Sequence, residues 1–109
     1  MKICLTATDK NLDSKLHSRF GRCDYFLIYD SETKEYYTLE NDPNLAHGAG
    51  VNAAQRVVDE NIDVLITGNL GPNAKEILLK AEIKCYKGED KELKRNINLF
   101  KEDKLSNIC

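Results

Sequence analysis

The sequence predicts an α/β fold, a mixed five-stranded sheet flanked by helices, and three observations carry that prediction. Apolar residues come in short, strand-length blocks before about residue 40. From about residue 50 the apolar spacing turns helical, and helical segments then alternate with two further short apolar blocks. Strands joined by helical crossovers must be parallel with right-handed connections, whereas the strands before them can form a meander.

The elements follow in order. "KICLTA" (Lys2–Ala7) is short and mostly apolar, as a strand buried on both faces should be. After a polar loop, "YFLIYD" and "YYTLE" flank "SETKE", which predicts an antiparallel hairpin with a five-residue connection. Asn41 to Ala49 is turn-like, with Asp-Pro and glycines. Val51, Ala54, Val57 and Val58 fall on one face of a helix running to about Asn61. "DVLIT" is a buried strand and "GNLGPN" a tight loop. Ala74, Ile77, Leu78 and Ala81 mark a second helix, with Pro72 beside its start, where proline is tolerated. "IKCY" is a short strand, and Leu93, Ile97 and Phe100 mark a third helix from near Asp90. The tail from about Lys104 is expected to fray. The order β-β-β-α-β-α-β-α gives one domain over residues 1–109, with strand order 3-2-1-4-5 and Tyr36–Glu40 on an edge.

Composition narrows the function. The formal charge is -2, with 16 basic and 18 acidic residues interspersed, which excludes the positive footprint of a nucleic-acid binder. No apolar run approaches the ~20 residues that span a bilayer, and the first residues do not read as a signal peptide. A cytoplasmic location is the expectation. None of Cys4, Cys23, Cys85 and Cys109 lies in a CxxC pair, so free thiols are expected. Cys4 and Cys85 occupy core-type strand positions, and Cys109 lies on the tail. No element carries a surplus apolar face, which points to a monomer or weak dimer.

The predicted topology also places the loops. Gly21, Gly48, Gly50, Gly68 and Gly71 gather on one edge of the sheet, and Gly88 joins them. Open α/β sheets bind ligands outside the carboxyl ends of their parallel strands. That edge is the expected site.

Five segments, "MKICLTATD", "RFGRCDYFLIYD", "AHGAGVNAAQ", "DVLITGNLGPNA" and "IKCYKG", cover about residues 1–100. In these the chain resembles the dinitrogenase iron–molybdenum cofactor biosynthesis family of small, cluster-carrier-like nitrogenase accessory proteins. The resemblance implies a ribonuclease-H-like fold. It also implies binding of an iron–sulfur or iron–molybdenum-type cluster, or a role beside the cluster-assembly proteins that handle one. The family often has His directly before "FGR"; this chain has Arg19 there, with His17 two residues earlier. That departure weakens direct transfer of cluster ligation.

Each candidate residue has two readings. His47 is a metal ligand beside a helix N-terminus, where the dipole favours an anionic guest, or a solvated loop histidine. Gly48 and Gly50 permit positive φ or close backbone approach. Cys23, next to the cation Arg22, is a thiolate ligand partnering His47, or a small apolar residue. Arg22 and Arg19 hold an anionic guest, or make surface ion pairs worth little. His17 reads as a surface residue. Gly68, Asn69, Gly71 and Asn73 form a turn like a phosphate cradle, without the lysine and hydroxyl of a P-loop. Its asparagines bond a ligand or cap the turn.

The leading expectation is a non-catalytic, metal-binding carrier for an iron–sulfur or iron–molybdenum-type cluster, since thiolate and imidazole suit iron. The alternative is a regulatory module that binds a small molecule or anion without metal. A nuclease is excluded, because "KICLTA" has no carboxylate and the fourth strand ends in Thr67-Gly68, leaving nothing to hold two metals. The missing CxxC argues against a thiol redox enzyme.

Overall fold

A computed structural model describes residues 1–44 and 47–109. The strands are β1 (Lys2–Ala7), β2 (Tyr25–Asp30), β3 (Tyr36–Glu40), β4 (Val64–Thr67), β5 (Lys84–Lys87) and β6 (Ser106–Asn107). The helices are α1 (Ala49–Asp59), α2 (Pro72–Lys80) and α3 (Leu93–Lys101), with one 3-10 turn at Phe20–Arg22. The sheet order is β3-β2-β1-β4-β5-β6. β1 is central, antiparallel to β2 with Cys4 opposite Ile28, and parallel to β4 with Cys4 beside Leu65. β3 is an edge strand, as its direct exit toward α1 requires.

The sixth strand corrects the expectation of five strands and a frayed tail. After α3, Asp103 takes φ 59° and the Lys104 amide donates to the Leu99 carbonyl at 2.9 Å, which reverses the chain. Leu105 is then buried, and the Ile108 amide donates to the Cys85 carbonyl at 2.8 Å. Leu105, Ile108 and Cys109 in this short polar tail do not alternate, so there is no strand signal there. Cys109 is accordingly half-buried against the core rather than on a loose end.

Alternation along the strands sends successive side chains to opposite faces. On one face Cys4, Phe26, Ile28, Leu65 and Cys85 pack against Ala53, Ala54 and Val57 of α1 and Ala74 and Leu78 of α2. On the other, Ile3, Leu5, Leu27, Val64 and Ile66 pack against Leu93, Ile97 and Leu99 of α3. The buried stripe of α1 is therefore Ala49, Ala53, Ala54 and Val57, and the expected Val51 is exposed. Small residues face inward because α1 lies close against α2 and the 3-10 turn. α3 begins at Leu93 rather than Asp90, since Asn96, fully buried, ties down the preceding loop. Its Oδ1 accepts from the Glu89 amide at 2.8 Å and its Nδ2 donates to the Glu89 carbonyl at 3.1 Å.

Candidate functional site

A strap of chain, 15–19, crosses the carboxyl ends of β1 and β4. The His17 amide donates to the Thr6 carbonyl at 2.8 Å, and the Thr6 hydroxyl donates to the His17 carbonyl at 2.9 Å. That hydroxyl's one proton is thereby engaged, so the buried Thr67 hydroxyl, 2.9 Å away, donates to it. Further along, the Asn69 amide donates to the Ser18 carbonyl at 2.6 Å and the Phe20 amide to the Asn69 carbonyl at 3.1 Å. A Cβ on Gly68 would lie 2.7 Å from Ser18 Cα, so only glycine lets these two segments touch. The paired segments form a wall with a cavity on either side.

The first cavity, about 470 Å³, lies on the α1–α2 side and is lined among others by Arg19, Gly21, Arg22, Gly48, Gly50, Val51, Asn69, Gly71 and Asn73. α1 and α2 both open onto it. The N-cap of α1 is Gly48, at φ 70° and ψ 20°; the N-cap of α2 is Gly71, followed by Pro72. Neither cap supplies a side-chain hydrogen bond. First-turn amides have no intrahelical acceptor, and each helix brings the positive end of its dipole. Arg19 is exposed on the rim, and among the described residues its guanidinium has no carboxylate partner. Among the described residues no acidic side chain lines the cavity. Helix termini and a guanidinium are both features that favour an anion.

Arg22 also braces the chain: its Nη1 donates to the Pro43 carbonyl at 2.8 Å, which ties the loop before α1 to the 3-10 turn. Asn41 steadies the same turn, donating from Nδ2 to the Cys23 carbonyl at 2.9 Å and to the Gly21 carbonyl at 3.3 Å. The glycines divide by role. Gly21 serves packing, since its Cβ would lie 2.9 Å from the Gly50 amide nitrogen. A Cβ on Gly50 would make ordinary contact with Ala74 at 3.7 Å, and one on Gly71 would meet nothing within 4 Å. The cavity is thus open beside the start of helix α2.

The structure does not bring the expected metal pair together. Cys23 is fully buried in the core with Cys4, Phe20 and Phe26, its thiol 3.4 Å from the Phe20 carbonyl. Burial pushes its pKa up to about 12, so it is a neutral thiol and not the thiolate a neighbouring cation would favour. The physical reason is the 3-10 turn: Cys23 ends that turn ahead of β2, outside the strand's alternation, and is tucked onto the same core face as Phe26 and Ile28, while Asp24 is exposed. His47 is exposed and immediately precedes Gly48, yet neither it nor Cys23 lines either cavity. Among the described residues no group of three or more His, Cys, Asp and Glu side chains is placed to hold a metal.

The second cavity, about 480 Å³, lies across the wall on the α3 side, lined by Thr8, Lys15, Leu16, His17, Gly68, Lys87, Gly88, Glu89 and Asp90 among others, and shares Asn69 with the first. Gly68 and Gly88 belong here, so the glycine-rich edge is divided between two cavities. Val51 departs from its pattern too: apolar periodicity marks it for the core, and it lines the first cavity instead.

A family model described as dinitrogenase iron–molybdenum cofactor matches residues 1–103, and the chain belongs to that family. An uncharacterized protein of Methanocaldococcus jannaschii is 33% identical over 109 residues, covering 96% of this chain and 89% of the relative. The apo form of the orange protein from Desulfovibrio gigas superposes with a TM-score of 0.91 at 32% identity, covering 99% of this chain and 92% of that one. A Thermotoga protein solved by NMR superposes at 0.87 with 34% identity, covering 97% and 91%.

Proposed function

We propose that this family member is a non-catalytic carrier that takes an anionic iron–sulfur or iron–molybdenum-type cluster as cargo in the first cavity. The guest is held as an anion, by backbone amides and Arg19, rather than through bonds from Cys23 or His47 to metal. The observation that carries this reading is the convergence of two glycine-capped helix N-termini on one cavity with no acidic side chain among its described residues. A cluster that brings its own sulfide or oxo ligands carries net negative charge and needs no protein ligand. Contacts of that kind also let cargo go to a cluster-assembly protein. Among the described residues the lining offers no Asp, Glu, His, Cys, Ser or Lys side chain for proton transfer or nucleophilic attack, which supports a binding role over a catalytic one.

Anaerobic reconstitution with ferrous iron, sulfide and molybdate, followed by gel filtration, tests it. The expected result is a chromophore that elutes with the chain and is stripped by ~1 M salt, where screening reaches about 3 Å. Colour that resists salt would mean direct ligation by thiol or imidazole. The absence of such a ligand set among the described residues favours a second reading, a small-anion module without metal. A protein that stays colourless yet binds molybdate or sulfate would establish that one instead.

A further inference from the structure

We propose that His17 is the positioning residue for Arg19, holding the arginine's backbone at the rim of the first cavity. The inference rests on reading that cavity as an anion site. His17 lines the second cavity, on the far side of the wall, so nothing about the first cavity's lining points to it. Its ring nevertheless reaches the backbone of Arg19. The Arg19 amide donates to His17 Nδ1 at 3.0 Å, and the same nitrogen lies 3.1 Å from the Arg19 carbonyl oxygen.

One nitrogen cannot serve both groups at once. Without a proton it accepts from the Arg19 N–H; with one it donates to the Arg19 carbonyl. Either way the ring engages Arg19. The ring itself stands on a firm base, because both backbone groups of His17 bond to Thr6 at the carboxyl end of β1. Ser18 and Phe20 tie the flanks of Arg19 to Asn69, and the Arg19 carbonyl accepts from the Arg22 amide at 3.2 Å. What His17 adds is the acceptor for the Arg19 amide itself, which links a central strand to a rim arginine whose guanidinium has no carboxylate partner among the described residues. Arg22 is held differently, by its own side chain on the Pro43 carbonyl.

Side-chain geometry supplies the test. Asparagine carries an acceptor and a donor directly on Cγ, where histidine carries Nδ1, whereas glutamine carries them one bond further out. Molybdate is titrated into isotope-labelled protein and followed at the Gly50 and Asn73 amides, for the native chain and for His17→Leu, His17→Gln and His17→Asn. Expected are affinities about fivefold weaker for Leu and Gln, the worth of one hydrogen bond, and within about twofold of native for Asn. Native protein that binds molybdate with an affinity His17→Leu retains would overturn the role of His17 and leave the anion site standing. Native protein that shows no molybdate shift would overturn both. If the Leu variant does not fold, hydrogen exchange in the native chain decides. A slow Arg19 amide supports the proposal; one that exchanges as freely as an unstructured amide refutes it.

Discussion

The two cavities are nearly equal in volume, about 470 and 480 Å³, and they share Asn69, yet they differ in almost everything that decides binding. Among the described residues the first presents two arginines, no carboxylate and two helix N-termini. The second sets Lys15 and Lys87 against Glu89 and Asp90, two charges against two, and α3 begins beyond it at Leu93. The layers beneath them differ as well. Cys4, Cys23, Cys85 and Cys109 all belong to the core on the side of the first cavity, and the core behind the second contains no cysteine among the described residues. Volume alone does not choose a site here. The choice is made by charges and amide donors that converge, and the sulfur lies below the first cavity without opening into it.

The largest expected effect follows from that buried sulfur. Burial raises the pKa of Cys23 from 9.0 to about 12, and burial raises those of Cys4 and Cys85 too. Each thiol's contribution to stability is fully present below pH 9, where both states are neutral. Above pH 9 the unfolded chain releases protons that the folded chain retains, so stability falls as pH rises toward 12. Cys23 alone contributes a slope of up to about 1.4 kcal/mol per pH unit in that window. Denaturant midpoints between about pH 8 and pH 11 should fall steeply in the native protein and less steeply in Cys23→Ala. Equal slopes would mean that Cys23 is not shielded and the sulfur is open to the first cavity after all.

Next in size is the wall. A methyl on Gly68 would press on the Ser18 backbone, 2.7 Å from its Cα, and backbone on both sides leaves nothing flexible to yield. Gly68→Ala should cost about 3 kcal/mol, the upper end of ordinary overpacking, read as a drop in the urea midpoint. A change below about 0.5 kcal/mol would show that the strap moves freely and the two cavities are one.

Charge comes third. Arg19→Ala should weaken molybdate binding about 30-fold, within the range for hydrogen bonds to charged groups. Lys87→Ala, on the balanced cavity, should change it by less than about twofold. The reverse ranking in calorimetry would move the anion site across the wall.

How much of this is legible in the sequence follows from which signals are periodic. Strand order 3-2-1-4-5 is readable, because helical crossovers and hairpin lengths admit few alternatives. The edge carrying Gly48, Gly50 and Gly71 is readable for the same reason. β6 is not, since two polar residues held by backbone bonds to β5 have no pattern. Cys23 misleads because it ends the 3-10 turn Phe20–Arg22 rather than opening β2, and a three-residue turn that folds the thiol onto the core leaves no periodic signal. The division of the edge into two cavities depends on a backbone contact between Ser18 and Asn69, far apart in sequence, and no local motif announces it.

The smallest effect discriminates most finely, between room for an ion and room for a cluster. Gly71 caps α2 with φ -71°, an ordinary value for any residue, and a Cβ there would meet nothing within 4 Å. Gly71→Ala should therefore cost no more than about 1 kcal/mol, the difference between glycine and alanine as an N-cap, with no steric cost added. A single molybdate ion leaves most of a 470 Å³ cavity empty, so its affinity should also stay within about twofold. A multinuclear cluster fills that space and meets the new methyl directly. Reduced cluster uptake with unchanged molybdate affinity would identify the cavity as built to cluster dimensions. If both were unchanged, the space beside Gly71 would be solvent, and the small-anion reading of the first cavity would gain over the carrier.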